Sequence, residues 1–143
     1  MDPFDEYQKS LRHKYGYHSF LIILVLGIIN FNLHLFFDFQ WGETQSLEFV
    51  LLLFFGIAYF IVMNVYNGAY FPKKQKALSL TLLFGFAGIS NIYLSFSPHS
   101  PLIINGLLTT NSFMLVSGLV WLSIPSAYFT RILMEKRRER EEN

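Results

Sequence analysis

The segment Phe71-Pro72-Lys73-Lys74-Gln75-Lys76 is short and basic, and a long apolar run lies on each side of it. No Asp, Glu, Lys or Arg occurs in residues 49–72 or in residues 77–130. Because three lysines cannot sit in hydrocarbon, this segment should lie in water, and short cytoplasmic loops are where Lys and Arg accumulate. The sequence therefore predicts two helical hairpins joined by a cytoplasmic hinge.

The composition of the 143-residue chain indicates a membrane protein. Its residues are 52% hydrophobic and only 15% charged, whereas about 25% are charged in a soluble domain. A charge-free run of about 20 residues matches the ~30 Å hydrocarbon core of a bilayer. Four such runs are predicted, at about residues 18–37, 49–71, 77–96 and 102–128. The predicted fold class is all-α, a transmembrane four-helix bundle of two hairpins, with residues 1–143 as a single membrane domain.

The positions of the basic residues predict the orientation. All eleven Lys and Arg lie in the head (residues 1–17), the hinge or the tail (residues 131–143), and none lies in the two loops on the other side. Four spans return the chain to the side where it began, so both termini are predicted to be cytoplasmic. The expected location is the plasma membrane, with the first span retained because no signal-peptide cleavage site follows it.

The head is predicted to be helical. Phe4, Tyr7 and Leu11 recur at helical spacing with basic side chains elsewhere on the wheel, which is typical of an amphipathic helix in the headgroup layer. Such a helix would bend into the first span at Gly16. The alternative is a straight helical extension of that span.

The hinge and tail are predicted to contact anionic lipid headgroups or a partner protein. The residues expected to do so are Lys73, Lys74, Lys76, Arg137 and Arg138. Each basic side chain gains about 1 kcal/mol near an anionic membrane surface. Acids are mixed into the tail, so nucleic-acid binding is not expected.

Polar side chains concentrate in the outer halves of the predicted spans. The predicted intramembrane cluster is Asn30, His34, Asn91, Asn105 and Asn111. Unpaired amides are costly in hydrocarbon, so these should face one another or a partner, although an interhelical hydrogen bond contributes only about 0.6 kcal/mol. The cluster is interpreted as a network that sets helix packing. A ligand pocket and a contact surface for another membrane protein are the alternatives.

Gly85 and Gly88 predict a close helix contact in the third span, because small residues let helices approach each other. Their spacing of three residues differs from the four-residue GxxxG repeat. If the protein binds a partner, these glycines are expected to face outward.

No pattern in the sequence predicts catalysis. The chain has no Walker loop, GxSxG elbow or HExxH pattern, so it is not expected to be an enzyme, and no cofactor is predicted. Cysteine is absent, which excludes thiolate chemistry. His34, Asp38 and His99 together form a first-row-metal ligand set. Their spacing does not require a metal, and none is predicted.

Two parts of the first half of the chain resemble a known group of proteins. They are Asp5-Glu6-Tyr7-Gln8-Lys9 with Arg12-His13-Lys14-Tyr15-Gly16-Tyr17, and Asn64-Val65-Tyr66-Asn67-Gly68-Ala69-Tyr70-Phe71. These segments resemble small uncharacterised four-span membrane proteins of Gram-positive bacteria. Some such proteins are encoded beside helix-turn-helix or LytTR-type regulators, which they hold in check at the membrane. The resemblance implies a regulatory or immunity-type role and carries over no functional residue.

The predicted function is that of a non-enzymatic accessory or regulatory membrane protein that binds a membrane-protein partner or a second copy of itself. The alternative is a subunit of a small oligomeric transporter or channel, since four short spans enclose little space alone. Transport would require a continuous polar path past Asn30, Asn111 and Asn64, whereas partner binding predicts a packed interior.

Overall fold

The chain forms four long α-helices in a computed structural model that describes residues 4–72, 76–96 and 101–142. The helices are α1 (Glu6–Phe37), α2 (Gln45–Tyr66), α3 (Ala77–Ser95) and α4 (Asn111–Glu142). Two short strands, β1 (Ile103–Ile104) and β2 (Leu107–Leu108), form an antiparallel hairpin before α4. All four helices are long and apolar enough to cross a membrane. The predictions of a helical fold and of four candidate spans are confirmed.

The helices alternate in direction, so the structure has two chemically different ends. The basic end holds the N-terminus of α1, the C-terminus of α4 and the connection between α2 and α3. The acidic end holds residues 38–44 and 101–110. Every Lys and Arg among the described residues belongs to the basic end, and the acidic end carries Asp38, Glu43 and Glu48.

The head and the first span are one continuous helix. Asp5 caps its N-terminus, because the carboxylate accepts the backbone N–H of Gln8 at 2.7 Å while the Gln8 side chain bonds back to the Asp5 N–H. Such a capping box satisfies two N–H groups that the first turn leaves free. The helix continues without interruption through Gly16, where an added Cβ atom would lie 3.7 Å from the Phe60 ring. In the described residues the head is therefore the extension of the span and not a separate helix.

The second helix ends earlier than the sequence predicted, at Tyr66 instead of residue 71. Gly68 has a φ of 71°, a left-handed conformation that glycine adopts without steric cost. The backbone N–H groups of Ala69 and Tyr70 both bond to the carbonyl of Asn64, at 2.7 and 3.1 Å. This tight turn leads into the hinge, of which Lys73 and Lys74 lie outside the described residues.

The fourth helix begins at Asn111 and not near residue 102, because the preceding residues form a β-hairpin. Its turn residues, Asn105 and Gly106, have φ values of 52° and 81°. Positive φ at both positions is what a type I′ turn requires, and an Asn-Gly pair between apolar residues is its strongest sequence signal. The predicted short connection between spans three and four is therefore a longer structured one, with residues 97–100 outside the described range.

The helices pack in the order α1, α2, α4, α3, so that α1 and α3 occupy opposite edges. The apolar core lies between α2 and α4 and consists of Ile61, Val65, Val120, Ile124 and Ala127. At the edge, no residue in the most apolar stretch of α1 is buried. The bundle is thus an open array with a packed centre.

Gly85 and Gly88 face α4 inside the array, so the expectation that partner binding would go with outward-facing glycines at these two positions is wrong. A Cβ atom built on Gly88 would lie 2.9 Å from the carbonyl oxygen of Gly118, and one built on Gly118 would lie equally close to the Gly88 carbonyl. A Cβ atom on Gly85 would lie 3.5 Å from the Pro125 ring. The backbones of α3 and α4 approach closely because Gly88 and Gly118 lack a side chain.

Replacing Gly118 with Leu should therefore separate α3 from α4 and lower the free energy of unfolding by about 2 kcal/mol. Gly27→Leu is the matched control, because no atom beyond the neighbouring residues lies within 4 Å of a Cβ built there. The measurement is chemical denaturation of both variants in detergent micelles, followed by circular dichroism. Equal destabilisation by the two substitutions would contradict this packing.

Candidate functional site

The centre of the acidic end is the carboxylate of Glu48, which is 0% exposed. Glu48 lies in the first turn of α2, after the N-cap Thr44, where the helix dipole stabilises a negative charge. Glu48 precedes the predicted second span of residues 49–71 and is not among the predicted site residues. The available signal was a capping Thr followed by an acid within one helical turn, which predicts that the helix begins before residue 49.

Four donors surround the Glu48 carboxylate. One oxygen accepts the backbone N–H groups of Trp41 and Gly42, both at 2.8 Å. The other accepts Nδ2 of Asn30 at 3.2 Å and lies 2.5 Å from Nε2 of His34. A carboxylate offers about four acceptor positions, so the protein itself occupies all of them.

The loop reaches this carboxylate because α1 ends sharply. Asp38 adopts a left-handed conformation with a φ of 49°, and the chain then folds back over the helix end. Nε1 of Trp41 donates to Oδ1 of Asn30 at 2.6 Å. Asn30 and His34 are four residues apart and share one face of α1, which is how one helix supplies two of the four donors.

The two connections at the acidic end are joined to each other, and we call residues 38–44 and 101–110 together the cap. The Glu43 N–H donates to the Leu108 carbonyl at 2.8 Å, and the Leu108 N–H donates to the Trp41 carbonyl at 2.9 Å. Thr109 Oγ1 donates to the Pro101 carbonyl at 2.7 Å. Since Trp41 is bound by Glu48 on one side and paired with β2 on the other, Glu48 anchors the whole cap.

The residues of the predicted polar cluster lie at several separate places in the structure. Asn30 and His34 meet at Glu48, as described above. Asn91 donates to the Ala87 carbonyl of its own helix at 2.9 Å. Asn111 donates to the Ser95 carbonyl at the C-terminus of α3, and Asn105 is exposed in the hairpin turn.

The three residues that could form a metal-ligand set, His34, Asp38 and His99, are not brought together in the part of the chain that the structure describes. Asp38 is exposed, His34 is bound to Glu48, and His99 lies outside the described range. In residues 4–72, 76–96 and 101–142, no group of three His, Cys, Asp or Glu side chains is placed to hold a metal ion. With its acceptor positions filled, the Glu48 carboxylate acts as a fixed anchor of the cap.

An open groove runs along the contact of α1 with α2. It consists of two adjoining cavities of about 360 and 380 Å³, both lined by Gly27, Phe31 and Phe49. One cavity ends at the polar side chains of Asn30, His34 and Gln45, and the other continues past Ile23 to Phe20. The groove is therefore apolar along most of its length and polar where it meets the cap.

At the basic end, side chains of α1 hold the turn that follows α2. The buried Gln8 donates Nε2 to the carbonyls of Gly68 and Phe71, at 2.8 and 3.2 Å. Arg12 lies 3.5 Å from the carbonyls of Ala69 and Tyr70. Burial raises the pKa of the Tyr70 phenol, and the nearby charge of Arg12 lowers it in part. The phenol is therefore neutral at neutral pH.

The basic residues predicted to contact headgroups or a partner differ in their surroundings. Lys76 is exposed at the N-cap of α3. Nε of Arg137 lies 3.2 Å from the carboxylate of Glu141. Arg138 lines a cavity on another face of α4. Lys73 and Lys74 lie outside the described residues.

Comparison with known proteins identifies no relative. No protein-family model, no curated protein and no solved structure matches the chain. The resemblance to small four-span proteins of Gram-positive bacteria stays a prediction.

Removing the Glu48 carboxylate should release the cap. We expect Glu48→Ala to lower the free energy of unfolding by about 3 kcal/mol, because His34 and two backbone N–H groups then lose a buried partner. Glu43→Ala is the control, since the exposed Glu43 carboxylate makes only 3.4 Å contacts with Thr110. Its expected cost is at most about 0.5 kcal/mol. Denaturation in micelles measures both, and similar losses for the two variants would contradict the anchoring role.

Proposed function

We propose that this protein is a non-enzymatic accessory or regulatory protein of the plasma membrane, that both termini are cytoplasmic, and that it binds a transmembrane helix of a partner protein in the groove between α1 and α2. The orientation rests on the segregation of basic residues, which favours the basic end as the cytoplasmic one. The acidic end and its cap then face outward.

Gly27 is the observation that carries the proposal. Glycine in a helix costs about 1 kcal/mol relative to alanine. At Gly56, Gly88 and Gly118 that cost has a visible use, because a Cβ atom at each position would collide with the neighbouring helix. Gly27 lies in the middle of α1 with nothing within 4 Å of its Cβ position. A helix from another protein would give Gly27 the role that the other three glycines already have.

The length and chemistry of the groove suit such a helix. From Phe20 to Leu35 the groove follows 16 residues of α1, which span about 22 Å at 1.5 Å per residue. Its apolar walls match a lipid-facing helix surface. Its polar end, where Gln45 is exposed beside His34, can bond a polar side chain on the partner and so fix the depth of docking.

The packed centre favours partner binding over transport. The polar residues that a solute would pass are separated, with Asn30 at the cap, Asn111 at the end of α3, and Asn64 bonded to the Phe60 carbonyl of its own helix. Between them, apolar side chains fill the contact of α2 with α4. In the described residues, a single copy therefore has little continuous polar surface along which a solute could pass.

Photo-crosslinking tests the docking site. A photoreactive phenylalanine at Phe31, which lines the groove, should form one discrete adduct with another membrane protein in native membranes. The same substitution at Phe86 should give lipid adducts alone, because Phe86 is equally exposed but lies on α3 at the opposite edge. Mass spectrometry of the adducts reads out both positions.

Other products from Phe31 would contradict the proposal. Lipid adducts alone would show that no protein docks in the groove. Adducts between two copies of the chain would show self-association instead of a different partner protein. Solute flux through liposomes that contain only this protein would favour the transporter alternative.

A further inference from the structure

A pocket of about 380 Å³ opens at the basic end, between α4, the end of α2 and the head of α1. We call it the basic-end pocket, and its lining is Tyr7, Tyr66, Asn67, Arg131, Met134, Glu135 and Arg138. From this arrangement we infer that the basic-end pocket binds the phosphate headgroup of an anionic phospholipid. The inference concerns lipid and does not depend on the partner helix proposed above.

The pocket lies at the depth of lipid phosphates. About 20 helical residues cross the hydrocarbon core, and α4 begins at Asn111. Arg131 is the twentieth residue after that start, so it stands where the core ends. Tyr66, the last residue of α2, lies at the same level, and tyrosine rings collect at this boundary. The basic-end pocket therefore faces the headgroup layer.

Arg131 is held in place on the wall of the pocket. Its Nε lies 2.7 Å from the Glu135 carboxylate. Its guanidinium packs against Gly68, where even a single methyl group would collide with it. The Nε edge of the guanidinium is thus used for the ion pair, and the planar fork of a guanidinium suits phosphate oxygens.

Arg138 supplies the unmatched charge. It lies seven residues after Arg131, on the same face of α4, and it is exposed. In the part of the chain that the structure describes, Arg138 makes no ion pair. Because Glu135 balances Arg131, the lining retains one net positive charge, which complements a phosphodiester.

The remaining lining groups match the rest of a phospholipid. The hydroxyls of Tyr7 and Tyr66 are on exposed side chains and can donate to phosphate or glycerol oxygens. Met134 supplies an apolar part of the lining. Basic pockets between transmembrane helices on the cytoplasmic side are a known form of headgroup recognition.

Titration with lipid tests this inference on the full-length protein in detergent. Native mass spectrometry should detect phosphatidylglycerol bound more tightly than phosphatidylcholine. Arg138→Gln should weaken phosphatidylglycerol binding about five-fold. The matched control is Arg137→Gln, because Arg137 has the same charge, pairs with Glu141 and lies outside the pocket. Both positions are exposed on the tail of α4, so both variants should keep the fold.

Three results would overturn the inference. Equal binding of phosphatidylglycerol and phosphatidylcholine would remove recognition of the headgroup. Equal weakening of phosphatidylglycerol binding by the two substitutions would show that diffuse surface charge, and not the pocket, attracts the lipid. Displacement of phosphatidylglycerol by an equal concentration of inorganic phosphate would assign the pocket to free phosphate instead of lipid.

Discussion

The arrangement of this protein follows from one constraint, which is that hydrocarbon does not accept a charge without a partner. The two longest charge-free stretches of the sequence contain most of α2, all of α3 and the first twenty residues of α4, and the basic residues collect at one end of the array. One acid, Glu48, is nevertheless fully buried. It is tolerated because four donors converge on it. The same convergence gives the acidic end a defined structure.

The two ends of α2 have complementary hydrogen-bonding requirements. A helix begins with free N–H groups and ends with free carbonyls. At its start, the Glu48 carboxylate collects the N–H groups of the loop that enters the helix. At its end, Gln8 donates to the carbonyls of the turn that leaves it, and Arg12 approaches them. At the start of α2, α1 adds Asn30 and His34 to the donors around Glu48, and at its end α1 supplies Gln8 and Arg12, so α1 contributes to fixing both ends of α2.

The features that the sequence predicted well are those with a local cause. A span requires only an uninterrupted apolar run, and the segregation of Lys and Arg can be read by position alone. The hairpin at Asn105 and Gly106 was equally readable, because an Asn-Gly pair between two apolar pairs is a local signal. The apolar residues around it were instead assigned to the fourth span.

The remaining features depend on contacts between distant residues. The burial of Glu48 requires Asn30 and His34 from the preceding helix, and no periodicity in the sequence reveals that meeting. The asparagines were expected to face one another, and hydrogen bonds within a single helix were not considered. Asn64 and Asn91 bond to the carbonyl four residues earlier in their own helices, which gives one amide N–H of each side chain an acceptor without a partner helix. Likewise, which glycine is covered and which is open depends on the packing order of the helices. Gly27 and Gly88 therefore look alike in the sequence and differ in the structure.

The central claim is that the acid-anchored cap and the basic end lie on opposite sides of the membrane. The chain contains no cysteine, so single cysteines can be introduced at two exposed serines, Ser46 beside the cap and Ser10 in the head. The most direct measurement is labelling of Ser46→Cys and Ser10→Cys with a membrane-impermeant maleimide in intact cells and after lysis. The account predicts that Ser46→Cys reacts in intact cells and that Ser10→Cys reacts only after lysis. Labelling of both positions in intact cells, or of Ser10→Cys alone, would contradict it.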